Sequence, residues 1–536
     1  MISFDLRNEP WIPVLRPDGT RVELGLRDVI VQAHEFKTIA ADNPLQTISL
    51  YRVLVGLIQH LTGDIVGAKE WGPLFQQSRF DAHAVDDYFE RSPWSDRFDL
   101  FHPDRPFWQV PGLTNIDAKT GAERPVSAKV LDITEATGNN KTLFSHRYDV
   151  DENRYFPAQA TRLLRTAQFF ALGGLNKKST NRTGYQQSYY HAPLVAGMPS
   201  LLMGKNLFET LCLNLVPRQG RVFLNTVSFR SLGIPPWAQD PFEPGTTLRS
   251  AAEGPTVPET FLEYFLPWSR YIRLVPREQP SGAQSVTHVH IAQGVAFDSL
   301  DEPWTAKRTD TKTAERKPVP FNPERALWRD AGAFLGLTSA SGDRQYTKSV
   351  PLQRYSDYRK HCKESLPFMV PMAVFALAND KAKPLLWRQE ELRVPDVEEQ
   401  NMDIAKDIQH CLETAESVGG ILKAAVARLV EEYLRNSDRG RDALPARISN
   451  GSSALRNYWS RLDLPFRRFL TGEIDADGFV GTCLVVSEES FTQYARQTVG
   501  ADVRYFPAFS KARLQLRGSL KKKRKNLSIQ EVQHAE

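Results

Sequence analysis

The sequence predicts an α+β protein, with a large mixed α/β domain over residues 1–392 followed by a C-terminal four-helix bundle over 393–520. Three observations carry that expectation. At 536 residues the chain is too long for one ordinary core, so more than one domain is expected. Of its 35 prolines all but Pro445, Pro465 and Pro507 fall in the first four hundred residues, among short alternating segments, the texture of an irregular domain with long loops. Past Pro395 the texture changes to sustained helical spacing.

Residues 2–30 read as short strands around a turn at Pro17-Asp18-Gly19, with the alternation in TRVELGL supplying the second strand. Helical periodicity takes over from Leu45 to Leu61, where Leu50, Tyr51, Leu54, Leu57, Ile58 and Leu61 form a wide apolar face. A second helix is expected in TRLLRTAQFFAL, whose Leu163, Leu164, Ala167 and Phe170 read as core. Beyond residue 396, Ile404, Ile408, Leu412, Ala415, Ile421, Leu422, Ala425, Leu429 and Val430 recur at helical spacing, and Gly419-Gly420 predicts a break or kink. Helical stretches at Ala454–Leu470 and Glu488–Leu520 complete an up-and-down bundle. Residues 521–536, with the run Lys521-Lys522-Lys523-Arg524-Lys525, read as a disordered basic tail, since a block of like charges repels itself.

Composition removes several functional classes. Cys212, Cys362, Cys411 and Cys483 are widely separated, without a C-x-x-C pair, which fits reduced thiols in a cytoplasmic protein and neither a disulfide framework nor a zinc knuckle. Asp5 and Glu9 interrupt any signal-peptide core, and no apolar window is long enough to span a membrane. Neither a phosphate-binding loop nor a dinucleotide fingerprint, a nucleophile elbow or a H-E-x-x-H pair occurs. His288 and His290 in THVH share one side of a strand, as two metal ligands would, but no third ligand stands at a recognisable spacing. They carry the rival expectation of a metal-dependent nucleic-acid hydrolase. The favoured one is nucleic-acid binding, with no metal and no cofactor.

One segment points to nucleic acid. From Asn153 to Phe208, fifty-six residues contain no Asp or Glu and seven Lys or Arg, where the chain average would place six or seven acids. Phosphate binding gains from cations that displace condensed counterions and loses from nearby carboxylates. Within the window, GGLNKKSTNRTGYQQSYYHAPLVAGMP offers Lys177, Lys178 and Arg182, tyrosines including Tyr185 for stacking, and glycines that permit close backbone approach. Arg162 and Arg165 belong to the preceding helix, so the helix anchors and the loop presents. The alternative is a purely structural subunit of a ribonucleoprotein, whose basic loop meets protein.

Several segments together resemble the CasA family, the large subunit of the type I-E CRISPR surveillance complex Cascade. NEPWIPV at Asn8–Val14 is similar to the family's N-terminal strand, HPDRPFWQV at His102–Val110 to its H-x-x-x-PF-x-Q stretch, and GKNLFETLCLNL at Gly204–Leu215 to its helix after a glycine-containing loop. ALWRD at Ala326–Asp330 matches a further recurrent piece. The resemblance implies a non-catalytic subunit working with the other Cascade subunits and guide RNA. It implies recognition of the protospacer-adjacent motif of double-stranded target DNA from the minor groove, where the base code is degenerate. Duplex opening and a docking surface for the helicase-nuclease are implied as well.

By the same resemblance, KTLFSHR places Phe144 and His146 near the guide handle and the motif, and VAGMP makes Ala196 and Gly197 the glycine loop facing the minor groove. The family's wedge, a hairpin tip inserted between base steps, falls at ALANDKAKP. Asn379, Asp380 and Lys381 then stand where the family has glutamine. The family's lysine finger falls in HIAQGVAF, which has no lysine, so Gln293 is its substitute. Lys177 to Tyr190 becomes a mobile phosphate-contacting arm.

Overall fold

The computed structural model describes the chain apart from residues 1, 64, 66–67, 118, 136–153, 176–178, 182–183, 186–187, 217–228, 230, 240–254, 298–301, 339–343, 363–365, 398–401, 435–451, 500–504 and 536. It forms two compact units, one of Met1–Pro323 with Thr347–Leu392, the other of Glu324–Tyr346 with Arg393–Glu536. Among the described residues no helix is long and apolar enough to cross a membrane.

The larger unit begins as its sequence predicts. Strands Ile12–Leu15 and Arg21–Leu24 pair antiparallel around the Asp18-Gly19 turn, and Thr38–Ile39 adds on the other side of the first. Trp11 is fully buried and donates its indole N–H to the Leu6 carbonyl at 3.0 Å, fixing the NEPWIPV segment. The helix Pro44–Thr62 starts where the Asn43 side chain accepts the Gln46 N–H, with Pro44 placed where no N–H partner is needed. Its polar residues are buried too. Arg52 lies against the rings of Phe265 and Trp304 and forms a two-pronged pair with Glu302 at 2.7 and 3.0 Å, so the charge is neutralised inside the core.

Three small sheets frame the acid-free segment. Arg270–Glu278 and Gln284–Gln293 form a long antiparallel hairpin, joined at its outer edge by Val126–Ser127. The HPDRPFWQV segment is sewn to this hairpin: Val110 N–H donates to Ile272, and Gln109 links the Leu100 carbonyl to the Leu274 N–H. In a second sheet Met369–Asp380 lies between Ser200–Leu202 and Lys383–Pro395. A third holds Asn115–Ile116, Ser179–Thr180 and Gly184–Tyr185 in that order.

The smaller unit contains four long helices, Met402–Leu434, Ser453–Leu470, Ala476–Val499 and Tyr505–Ala535, and the first packs on each of the others. Four sequence expectations differ here. The expected break at Gly419-Gly420 does not occur. A Cβ on Gly419 would come within 2.5 Å of Trp459, so this glycine lets two helices approach closely and does not end one. The stretch Glu488–Leu520, expected as one helix, belongs to two, and residues 521–535, expected as a disordered tail, continue the last of them. Ala326–Asp330, counted with the large domain on sequence, sits in the smaller unit because buried Trp328 fills the space between Trp459, Phe466 and Phe479. Arg329 stacks 3.5 Å above Trp459 and clamps Glu416 with two bonds.

Candidate nucleic-acid interface

The helix Pro157–Phe170 anchors the acid-free segment, and its two arginines are scaffold. Arg162 is 4 % exposed and bonds the Trp11 carbonyl, Glu23 and Asp42. Arg165 is fully buried beside the rings of Phe107 and Trp108, and burial pulls its proton affinity well below the ordinary arginine value. Neither side chain is available to a phosphate. Of the window's other described cations, Arg154 is exposed and bonds Gln279, and Lys205 is exposed.

Where the helix ends, a buried clamp gathers both ends of the loop. The Arg270 guanidinium donates from Nη2 to the carbonyls of Leu172 and Tyr190 at 3.0 and 2.7 Å, and from Nη1 to Ser269 and to Gln293 Oε1. Gln293 Oε1 also accepts the Tyr190 N–H at 2.9 Å, while its Nε2 donates to Ser269 and Gly294. Gln168 fixes the same strand through the Arg270 backbone. Burial brings Arg270 down to about 10, an arginine still charged at neutral pH, with Tyr189 beside it. Between the clamped ends, Gly174 pairs with Tyr189 and Leu175 with Ser188. A Cβ on Gly173 would stand 2.8 Å from the Tyr189 carbonyl, so the neck closes only with glycine there.

A second suspension point holds the middle of the loop. Buried Asn115 exchanges bonds with the backbone of Ile291 and gives its N–H to His290 Nδ1. Ser179–Thr180 pairs with Asn115–Ile116, and Asn181 bonds the backbone of Gly112 and Thr114. His290 Nε2 lies 2.9 Å from Glu123 Oε1, and burial, with Arg273 nearby, lowers its proton affinity. This is a positioning histidine whose free electron pair is already used. Among the described residues no three His, Cys, Asp or Glu side chains gather as a metal site, and His290 Nδ1 is occupied by the Asn115 N–H. The mobile-arm expectation is corrected at Ser179–Asn181, which is tied down.

The hairpin expected as a wedge is present, with Lys381 and Ala382 linking Met369–Asp380 to Lys383–Pro395. Lys381 is exposed, with φ +53°, and Asn379 Nδ2 donates to its carbonyl at 2.7 Å, which holds the tip in shape. The tip rests on the neck: a Cβ on Gly174 would lie 2.9 Å from that of Ala382. The Val195–Gly197 turn leads into Ser200–Leu202, whose antiparallel register with Met372–Val374 carries the preceding residues toward the tip end of the hairpin.

Two expected contacts change role. Gln293 is 1 % exposed and wholly engaged in the clamp, so it cannot reach a base from this position. Gly197 is buried, with φ +120°, and a Cβ would meet Thr305 and Pro318 at 2.7 and 2.8 Å; packing demands this glycine, and exposed Ala196 is the residue facing out. Phe144, His146, Lys177, Lys178 and Arg182 lie outside the described residues, and Tyr185 is described only as part of the strand Gly184–Tyr185. Arg270, Asn115 and the Gly174–Ala382 contact had no local signal. The cross-strand pairing of Arg270 with Gln293 appears only once the hairpin register is known.

Comparison with known proteins gives the family and the fold. Residues 5–500 match the family model described as CRISPR-associated protein Cse1. A curated CasA/Cse1 protein of Thermus thermophilus is 29 % identical over 482 residues, 87 % of each chain. The crystal structure of Cse1 from Acidimicrobium ferrooxidans superposes with a TM-score of 0.79 at 24 % identity, covering 98 % of this chain and 99 % of that one. A chain in a structure titled CRISPR RNA-guided surveillance complex gives 0.73 at 20 % identity, covering 96 % of this chain and all of the other.

Proposed function

Because the chain belongs to the CRISPR-associated Cse1 family, we propose that it is the non-catalytic target-recognition subunit of an RNA-guided surveillance complex. It works beside guide RNA and the other subunits, reads the motif adjacent to the target, starts duplex opening and offers a surface to the helicase-nuclease. The observation that carries this reading is the seating of the hairpin tip on the neck of the acid-free loop, Ala382 against Gly174.

That contact joins the tip to the segment whose sequence carries the unopposed cations. The loop brings Lys177, Lys178 and Arg182 without any carboxylate to oppose them. Exposed Ala196 and the glycine neck offer backbone at close range, as minor-groove reading requires. The tip, Asn379 and Lys381, is a compact projection of the kind that unstacks a base step at a cost of roughly a few kcal/mol, offset by new contacts. Gln293, Arg270 and His290 position the loop from beneath.

The decisive substitution is Gly174→Val, which pushes tip from neck without altering charge. In the assembled complex, binding to targets with and without a good adjacent motif is measured at fixed salt. Discrimination between the two is expected to fall about tenfold, or about 1.4 kcal/mol, with motif-free binding unchanged. Unaltered discrimination would remove the tip and neck as the reader. The charge component is read separately: alanine at Lys177, Lys178 and Arg182 lowers the salt slope by about 2.5–3 across all sequences.

A further inference from the structure

A second acid-free stretch lies at the other end of the chain, beyond the residues matched to the Cse1 family. Residues 503–530 contain no Asp or Glu and nine Lys or Arg, a denser run than the seven cations of Asn153–Phe208. The helix Tyr505–Ala535 carries eight of these cations and divides them into two groups. In its first half they are neutralised by neighbouring helices: Lys511 Nζ is 3.0 Å from Glu432, and Arg513 and Arg517 bond Glu488 at 3.2 and 2.6 Å. Leu516 and Leu520 are buried on the same helix, so this half is part of the bundle.

After Leu520 the pattern stops. Lys521, Lys522 and Lys525 are exposed and Lys523 is half-buried, and among the described residues none of these four has a hydrogen bond or an ion pair. Arg524 does have a partner. Placing Lys521 one turn from Lys525, and Lys522 three residues from it, sets like charges side by side on a helix, which weakens it. A merely soluble surface intersperses both signs, as the first half of this helix does with its glutamate neighbours. At 3.6 residues per turn Lys521, Lys522 and Lys525 fall within about 100° of one another, so exposed ammonium groups share one face with no carboxylate on their own segment, as displacing counterions from a sugar-phosphate backbone requires.

We propose that Lys521–Lys525 is a second, sequence-independent phosphate-backbone site, separate from the tip and neck, that binds nucleic acid. Duplex DNA and single-stranded RNA share the required chemistry, and the test separates them. In the full-length chain, Lys521, Lys522, Lys523 and Lys525 are replaced together by glutamine. Binding to a motif-free DNA duplex and to a single-stranded RNA of equal length is titrated by fluorescence anisotropy over a range of KCl concentrations.

The slope of log K against log salt is expected to fall in magnitude by about 3–4 on DNA, or by about 3 on RNA, and the ligand that shows its full expected loss is the occupant. The Lys→Arg quadruple variant keeps the parent slope. Lys522→Gln alone, too small a change to unfold the helix, lowers it by about 1. Unchanged slopes on both ligands overturn the site. So does a result in which polyglutamate displaces from the parent chain but neither nucleic acid responds to the substitutions, which would indicate an acidic protein partner.

Discussion

The loop at Gly173–Tyr190 and the helix at Tyr505–Ala535 are both free of carboxylates over long stretches, yet they use their cations oppositely. Around the loop, the arginines that the structure describes most fully face inward. Arg162, Arg165 and Arg270 are buried and meet carbonyls, aromatic rings or, for Arg162, the partly exposed Glu23 and Asp42. In the helix Lys511, Arg513 and Arg517 meet acids, while Lys521, Lys522 and Lys525 are exposed. A missing acid therefore has two physical meanings. Beside a buried guanidinium it leaves main-chain carbonyls as the acceptors, whereas on an exposed helix face it leaves charge for a partner.

The sharpest way to break this contrast is Arg270→Met. It removes the donor to Leu172, Tyr190, Ser269 and Gln293 and leaves buried acceptors unpaired, so thermal unfolding is expected to register a loss of about 3 kcal/mol. A loss below about 1 kcal/mol would mean that the neck does not depend on the clamp.

Next in size is the glycine pair of the bundle. Gly419→Ala places a methyl group 2.5 Å from Trp459 and is expected to cost about 1–3 kcal/mol in denaturant unfolding, whereas Gly420→Ala meets open space and gains up to about 1 kcal/mol of helix propensity. Equal effects at the two positions would contradict the assignment of Gly419 to close packing.

A smaller, pH-dependent effect tests the second suspension point. His290 must be neutral to accept the Asn115 N–H at Nδ1, and its folded-state proton affinity is lowered by burial and by Arg273, with Glu123 pulling the other way and His288 adding to the depression. The unfolded chain takes up the proton first. Stability is therefore full above about pH 6.5 and falls as acidification passes below that value, by at most about 1.4 kcal/mol per pH unit, until the folded-state value is reached. His290→Gln, which keeps an acceptor but cannot titrate, is expected to flatten that portion of the stability curve. The smallest effect is expected at Ala196→Leu, which leaves folding unchanged within about 0.5 kcal/mol because the side chain faces solvent, while Gly197→Leu destabilises through its positive φ and its collision with Thr305.

Much of the architecture is legible because its signals are local. The strand–turn–strand start, the helix opened by Asn43 and Pro44, and the helical texture after Pro395 all rest on periodicity and capping. The family membership is legible from the order of NEPWIPV, HPDRPFWQV, GKNLFETLCLNL and ALWRD along the chain. The features that escape the sequence depend on tertiary context. Gly419 reads as a helix breaker by propensity and is a contact point by packing, because Trp459 is forty residues away. Gln293 sits where the resemblance places a finger residue, but its partners Tyr190 and Arg270 claim it. His290 reads as a metal ligand on sequence because its neighbour in space, Asn115, stands 175 residues earlier.

The Arg270 clamp grips the loop through the main-chain carbonyls of Leu172 and Tyr190, groups that every residue type supplies. It works as a socket indifferent to the identity of the segment plugged into it. Between the two gripped positions Gly173 and Gly174 are held to glycine by packing, while the side chains beyond that neck can be exchanged without loosening the grip.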